Sequence, residues 1–259
     1  MPFRDFSWEA REGIPVPSWQ AEYDRHTLHT THRLKAPLDI IRGNIALVLE
    51  GSLGEISEEI RAILTKTDER AKGMAQMLLD MEHLTRLEGQ APAPERFVMT
   101  DIEAMVRTCV EELRPSAKRR GIGLRLALEP LSFPCVPEQL HLLLKNLLSN
   151  AITYSHDQGE VHVSCGQEST TSQGMVAIAD SGIGIPAEAL PRLFDDRFRT
   201  KESLRHNRAS TGLGLAIVKH VARNHALRLR VASELGQGAT FTVLFPVTGP
   251  SPRSYPAAR

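Results

Sequence analysis

"KNLLSNAITYS", residues 145–155, decides how the second half of this chain is read. Leu140, Leu144, Leu147 and Ala151 recur at steps of three and four, the period of a helix with one buried face. Asn146 and Asn150 stand four apart, so the same helix carries both amides on one side. An amide oxygen is a ligand that Mg2+ accepts, with waters and phosphate oxygens as its other ligands. Taken alone, the pair reads better as two solvated asparagines.

Downstream stretches change that balance. "ADSGIGIP", 179–186, follows the apolar "MVAI" and puts Asp180 at the end of a strand. Gly182 and Gly184 let the backbone pass close to a flat ligand. The carboxylate suits the amino group of an adenine; the plainer reading is a tight turn after a strand. "STGLGLAIVKH", 210–220, runs a glycine loop into a helix whose free N–H groups suit phosphate oxygens. No strand directly precedes it and a third glycine is missing, so it is not a dinucleotide-binding βαβ turn. "ELGQG", 234–238, separates "LRLRVAS" from "ATFTVLFP" and reads as a hairpin.

Upstream, Leu34, Leu38, Ile41, Ile45 and Leu49 predict a helix over about 20–50. "EGSLGE" breaks it, and Ser57 caps a second helix with Glu58 and Glu59 in its first turn. Ile60, Leu64, Thr67, Ala71, Met74, Leu78, Met81 and a final Leu84 or Leu87 form a coiled-coil seam. Two such helices make an antiparallel hairpin, and pairing with a second copy into a four-helix bundle completes it. "GQAPAPER", 89–96, is a linker, beyond which the pattern turns to mixed helix and strand. The expected fold class is α+β: a helical hairpin (20–92), then an α/β sandwich (93–248). Residues 1–19 read as a tail or a link to something upstream, and 249–259 as a tail.

The chain has 259 residues, and its 31 basic residues balance 31 acidic ones, which argues against a nucleic-acid partner. Cys109, Cys135 and Cys165 form no C-x-x-C pair, so neither a zinc site nor a disulfide framework is expected and a cytoplasmic location fits. No apolar run reaches the roughly 18 residues of a membrane span, and the N-terminus does not read as a signal peptide.

In order and spacing, Asn-x-x-x-Asn, D-x-G-x-G, T-G-L-G-L and G-x-G-A-T-F resemble the N, G1, G2 and G3 boxes of sensor histidine kinases. "HRLKAPL", 32–38, on the first helix resembles their phosphoacceptor motif. The resemblance covers about residues 20–247 and implies a dimeric four-helix bundle followed by a Bergerat ATP-binding fold. It implies that His32 takes the γ-phosphoryl group of ATP and passes it to an aspartate on a response regulator receiver domain. It places Mg2+ on Asn150, with Asn146 toward the phosphates, Tyr154 in the nucleotide site and Asp180 on the adenine. Gly182 and Gly184 support Asp180, while Thr211, Gly212, Leu213 and Gly214 belong to the ATP lid.

Some positions depart from the family pattern. Arg33 stands where an acidic residue orients the histidine, Ala36 where Thr or Asn helps dephosphorylate the partner, and Thr153 where a Lys contacts phosphate. The spacing in "LFDDRFRTK" leaves the matches of Phe194 and Phe198 open, and Ala226 and Leu227 replace a glycine pair that often ends the last helix. The alternative implied by Arg33 and Thr153 is a catalytically weakened, ATP-binding dimeric scaffold. A gyrase-type ATPase would need an acidic base where Asn146 stands. His26, His29 and His32 at steps of three read better as polar positions near the bundle end than as a metal cluster.

Overall fold

The computed structural model describes residues 3–8, 18–89, 92–168, 171, 173–206 and 210–246, excluding the side chains of 18–29, 32 and 89. The C-terminal tail expected at 249–259 lies outside the described residues, as do the side chains of His26, His29 and His32.

Helices α1 (Ser18–Leu49) and α2 (Glu58–Gly89) form the hairpin. Gly51 and Gly54 have φ of 80° and 108°, which turns the chain between them. The Ser57 hydroxyl accepts the Ile60 N–H at 3.4 Å and lowers the Glu59 pKa, as a helix cap should. Arg61 Nη1 donates to the last carbonyl of α1, Leu49, at 3.0 Å. Leu38, Ile45 and Ala71 are buried between the helices, whereas Ile60, Ile63, Met74 and Met77 stay exposed.

Beyond the linker come β2 (Val98–Asp101), α3 (Ile102–Arg119), β3 (Gly123–Leu128), β4 (Ser132–Cys135) and α4 (Pro137–Tyr154). They are followed by β5 (Glu160–Gln167), β6 (Gly174–Asp180), a 3-10 turn (Ala187–Arg192), α5 (Lys201–His206), α6 (Gly214–Asn224), β7 (Arg228–Ser233) and β8 (Ala239–Leu244). With β1 (Phe3–Phe6) at one edge, the main sheet runs β1-β7-β8-β6-β5-β3, with β3–β5 parallel and the other pairs antiparallel. Strands β2 and β4 pair separately. The buried faces of α3, α4 and α6 and the inward residues of the sheet share one apolar core.

The first strand of that order, β1 (Phe3–Phe6), lies in the stretch expected to be a tail or a link, and corrects that reading for these residues. It pairs with β7, Phe3 opposite Ala232 and Phe6 opposite Leu229. The Phe6 and Trp8 rings meet Phe194 edge-on at 4.7 and 5.3 Å. The strand covers a sheet edge that would otherwise present unpaired backbone groups.

The last turns of α2 also join the core of the α/β unit. Leu84 and Leu87 are buried in it, and Glu88 meets His220 of α6 at 3.4 Å. Each buried leucine contributes roughly 1.5–3 kcal/mol, so the hairpin is packed against the second unit rather than merely tethered to it.

Candidate functional site

Helix α4 begins at Pro137, whose missing N–H costs nothing at a first helical position. Its leucines face the core and leave Asn146 and Asn150 on the opposite side, both lining a cavity of about 500 Å3. Asn146 Nδ2 donates to the Leu142 carbonyl at 2.8 Å, which fixes the amide. Its Oδ1 lies against Gly214, where an added Cβ would sit 2.7 Å away. Tyr154, on the last turn of α4, donates from its hydroxyl to Ser210 Oγ at 3.1 Å, linking helix to lid.

Asp180 ends β6 at the far wall. Its Oδ1 accepts the N–H groups of Gly182 at 3.0 Å and Ala239 at 3.3 Å. No partner among the described residues takes Oδ2. Burial pushes the Asp180 pKa up to about 7, with the two backbone donors opposing the shift. Two glycines make this corner possible. A Cβ on Gly184, at φ 66°, would lie 2.0 Å from the Glu234 carbonyl, and one on Gly238, at φ 83°, 1.9 Å from the Asp180 carbonyl. The glycine turn of the β7–β8 hairpin is thus what lets the two backbones close around Asp180.

At the opposite wall, Gly212 (φ 70°) carries the chain into α6. The Leu213 N–H donates to Thr211 Oγ1 at 3.1 Å. Helix α6 has no acidic residue in its first turn, so the partial positive charge of its N-terminus is not offset by its own sequence.

Of the residues expected from sequence, Asn146, Asn150, Tyr154, Asp180, Gly184, Thr211, Gly212 and Gly214 line one cavity. Gly182 and Leu213 stand behind it, the first donating to Asp180 and the second to Thr211. Thr153 lines the cavity as well. Of the two open matches, Phe198 lines it while Phe194 is buried against β1 and Trp8. His32 lies on α1, and its side chain is outside the described residues.

Sequence reasoning missed a fourth wall. Gln76, Leu79, Asp80 and His83 of α2 face the same cavity. Asp80 Oδ2 accepts the Thr211 hydroxyl at 2.6 Å and Oδ1 accepts Gln76 Nε2 at 2.7 Å. The signal was present in "MLLDMEHL", where Asp80 and His83 interrupt an apolar run at helical spacing.

The donor set suits Mg2+ of the kind that keeps waters and phosphate oxygens. Asn150 offers an amide oxygen in the cavity, and no group of three His, Cys, Asp or Glu side chains among the described residues offers a closed metal cage.

Residues 135–249 match the family described as histidine kinase-, DNA gyrase B-, and HSP90-like ATPase. The sensor-like histidine kinase SenX3 of Mycobacterium tuberculosis is 32% identical over 84% of this chain and 52% of its own length. The phosphate regulon sensor protein PhoR of Pseudomonas aeruginosa is 30% identical over 84% of this chain and 48% of its own. Full-length ShkA, crystallised with AMPPNP, superposes with a TM-score of 0.64 at 25% identity over 86% of this chain and 46% of that one. The chain therefore spans about half the length of the curated relatives it matches. The helical hairpin, the ATP-binding Bergerat fold behind it and the order of their motifs make this chain a sensor histidine kinase catalytic core.

Proposed function

We propose that the chain is an ATP-dependent protein histidine kinase of two-component signalling. In this reading it dimerises, phosphorylates His32 and passes the phosphoryl group to an aspartate of a response regulator receiver domain. The observation that carries the reading is the pairing of two unlike walls in one cavity. At one, Asp180 keeps a carboxylate oxygen free for an adenine amino group; at the other, the glycine lid and the N-terminus of α6 offer N–H groups for phosphates. The AMPPNP held by ShkA agrees with this assignment.

Each residue then has a task. Asp180 orients the base; Gly182, Gly184 and Gly238 hold Asp180 in place. Tyr154 packs the nucleotide side of α4, and Thr211, Gly212, Leu213 and Gly214 shape the phosphate wall. Asn150 would hold Mg2+, with Asn146 beside it toward the phosphates; the ion supplies neutralising charge to the triphosphate. A neutral ring nitrogen of His32 attacks the γ-phosphorus in line. The N–P bond forms as the bond to the β-phosphate oxygen breaks, ADP leaves and the ring gives up the proton on its other nitrogen to solvent. The aspartate carboxylate of the receiver then attacks the same phosphorus and the N–P bond breaks.

Dimerisation is supported by the exposed apolar side of the hairpin. Ile60 is 48% exposed, Ile63 63% and Met74 59%, a stripe that one hairpin leaves uncovered. Incubation with Mg2+ and γ-labelled ATP tests the reading. It predicts acid-labile, base-stable label on the chain that moves to a receiver domain; persistent absence of label contradicts it.

A further inference from the structure

We propose that Asp80 of α2 is an autoinhibitory latch: its carboxylate occupies, on the lid, the role of a nucleotide phosphate, so that the docked hairpin and ATP compete for the same donors. The inference rests on the nucleotide reading of the cavity.

The contact is a relay. The Leu213 N–H, at the start of α6, donates to Thr211 Oγ1 at 3.1 Å, and the Thr211 hydroxyl donates onward to Asp80 Oδ2 at 2.6 Å. A helix N-terminus favours an anion, and α6 supplies none in its own first turn. The anion comes from 131 residues upstream, on a different structural unit.

Asp80 is placed there at a cost. It is 4% exposed, and no Lys or Arg among the described residues pairs with it. Burial raises its pKa, which the hydrogen bonds from Thr211 and Gln76 oppose. His83, three residues along α2, is held below its ordinary pKa by its own burial, and its Nδ1 has no hydrogen-bond partner among the described residues. Of the groups that favour the charged carboxylate, the Thr211 hydroxyl contributes most, Gln76 next and His83 least. The lid is therefore the chief recipient of this charge.

When triphosphate oxygens reach the same lid donors, two like charges meet in a partly buried space, and one is displaced. Nucleotide binding then detaches Thr211 from α2. By reciprocity, a hairpin docked through Asp80 weakens nucleotide binding by the factor by which nucleotide weakens docking. A signal that shifts α2 along or about its axis would thus act directly on ATP affinity. The base pocket, formed by Asp180 on the far wall, is not part of this competition.

That separation supplies the test. ATP and adenosine share the base and differ in charge at the lid. Asp80→Asn and Asp80→Ala should tighten ATP by about fivefold or more, the lower range of coupling between sites, and leave adenosine affinity unchanged. Equal shifts for both ligands, or no shift for ATP, would overturn the latch. A second measurement uses the unaltered chain. Adding AMPPNP with Mg2+ should speed amide exchange in residues 76–84 as the lid leaves α2; unchanged or slower exchange there overturns the proposal even if the variants fold poorly. If neither ATP nor adenosine binds the unaltered chain, the nucleotide reading fails and the latch with it. ATP binding that ignores Asp80 but falls on Asp180→Asn removes the latch alone.

Discussion

Adenosine binding should expel a proton from Asp180. In the free chain its pKa is about 7, because burial penalises the charged carboxylate more than two backbone N–H groups favour it. The side chain is then about nine-tenths protonated at pH 6, half at pH 7 and one-tenth at pH 8. An adenine amino group donating to Oδ2 is a third hydrogen bond to the charged form, and such bonds lower a carboxyl pKa. If the bound pKa falls below about 5, proton release is about 0.8–0.9 at pH 6, about half at pH 7 and about 0.1 at pH 8. Adenosine is the suitable ligand because it has no phosphate that titrates in this range. Calorimetry in two buffers of different ionisation enthalpy counts the protons. Asp180→Asn should remove the buffer dependence and weaken adenosine by roughly 1–3 kcal/mol, the cost of an unpaired polar group. A binding enthalpy that is identical in both buffers at pH 6 would refute the reasoning, and so would an Asp180→Asn chain that binds adenosine normally.

His225 should govern acid stability. Its Nε2 accepts the Val136 N–H at 3.0 Å, its Nδ1 donates to the Val221 carbonyl at 2.9 Å, and burial lowers its pKa to about 4. The folded value is depressed, so its contribution is present above the unfolded pKa of about 6.5 and is lost as pH falls toward 4, roughly 3 kcal/mol in all. Urea unfolding of the native chain against His225→Leu across pH 7 to 4 should show the gap closing; a constant gap contradicts this. Ala226 sits at φ 53° just after α6, where an L-residue is strained, so Ala226→Gly should raise stability by about 0.5–1 kcal/mol in the same assay. Arg33, exposed on α1, carries a guanidinium, which offers no lone pair to orient a histidine. Arg33→Glu should therefore speed labelling of the chain, by up to about 10²-fold, whereas Ala36→Thr should speed dephosphorylation of the receiver without changing labelling; slower labelling in Arg33→Glu would mean that Arg33 draws in phosphate.

The parts of this molecule that could be read from sequence are those with a local signature. The period of α4 placed Asn146 and Asn150 together, the apolar run before Asp180 put it at a strand end, and the glycines marked the turns that bring β8 and α6 to the cavity. What escaped depended on partners far away in the chain. Strand β1 is four residues long, too short for alternation to stand out, and its pairing with β7 joins Phe6 to Leu229. Strands β2 and β4, also four residues each, went unread for the same reason. Asp80 was lost in a heptad pattern, where a polar residue between seam positions reads as solvated. Only the docking of α2 against α6 buries it and turns it toward the lid.

In the proposed reaction His32 takes the γ-phosphoryl group of the ATP bound in the Asp180 cavity. The most direct measurement compares the native chain with His32→Gln, each given Mg2+ and γ-labelled ATP, with ATP affinity measured in parallel. Acid-labile, base-stable label is expected on the native chain alone, with the same ATP affinity in both. Label of that kind surviving in His32→Gln would place the acceptor on another residue and contradict it.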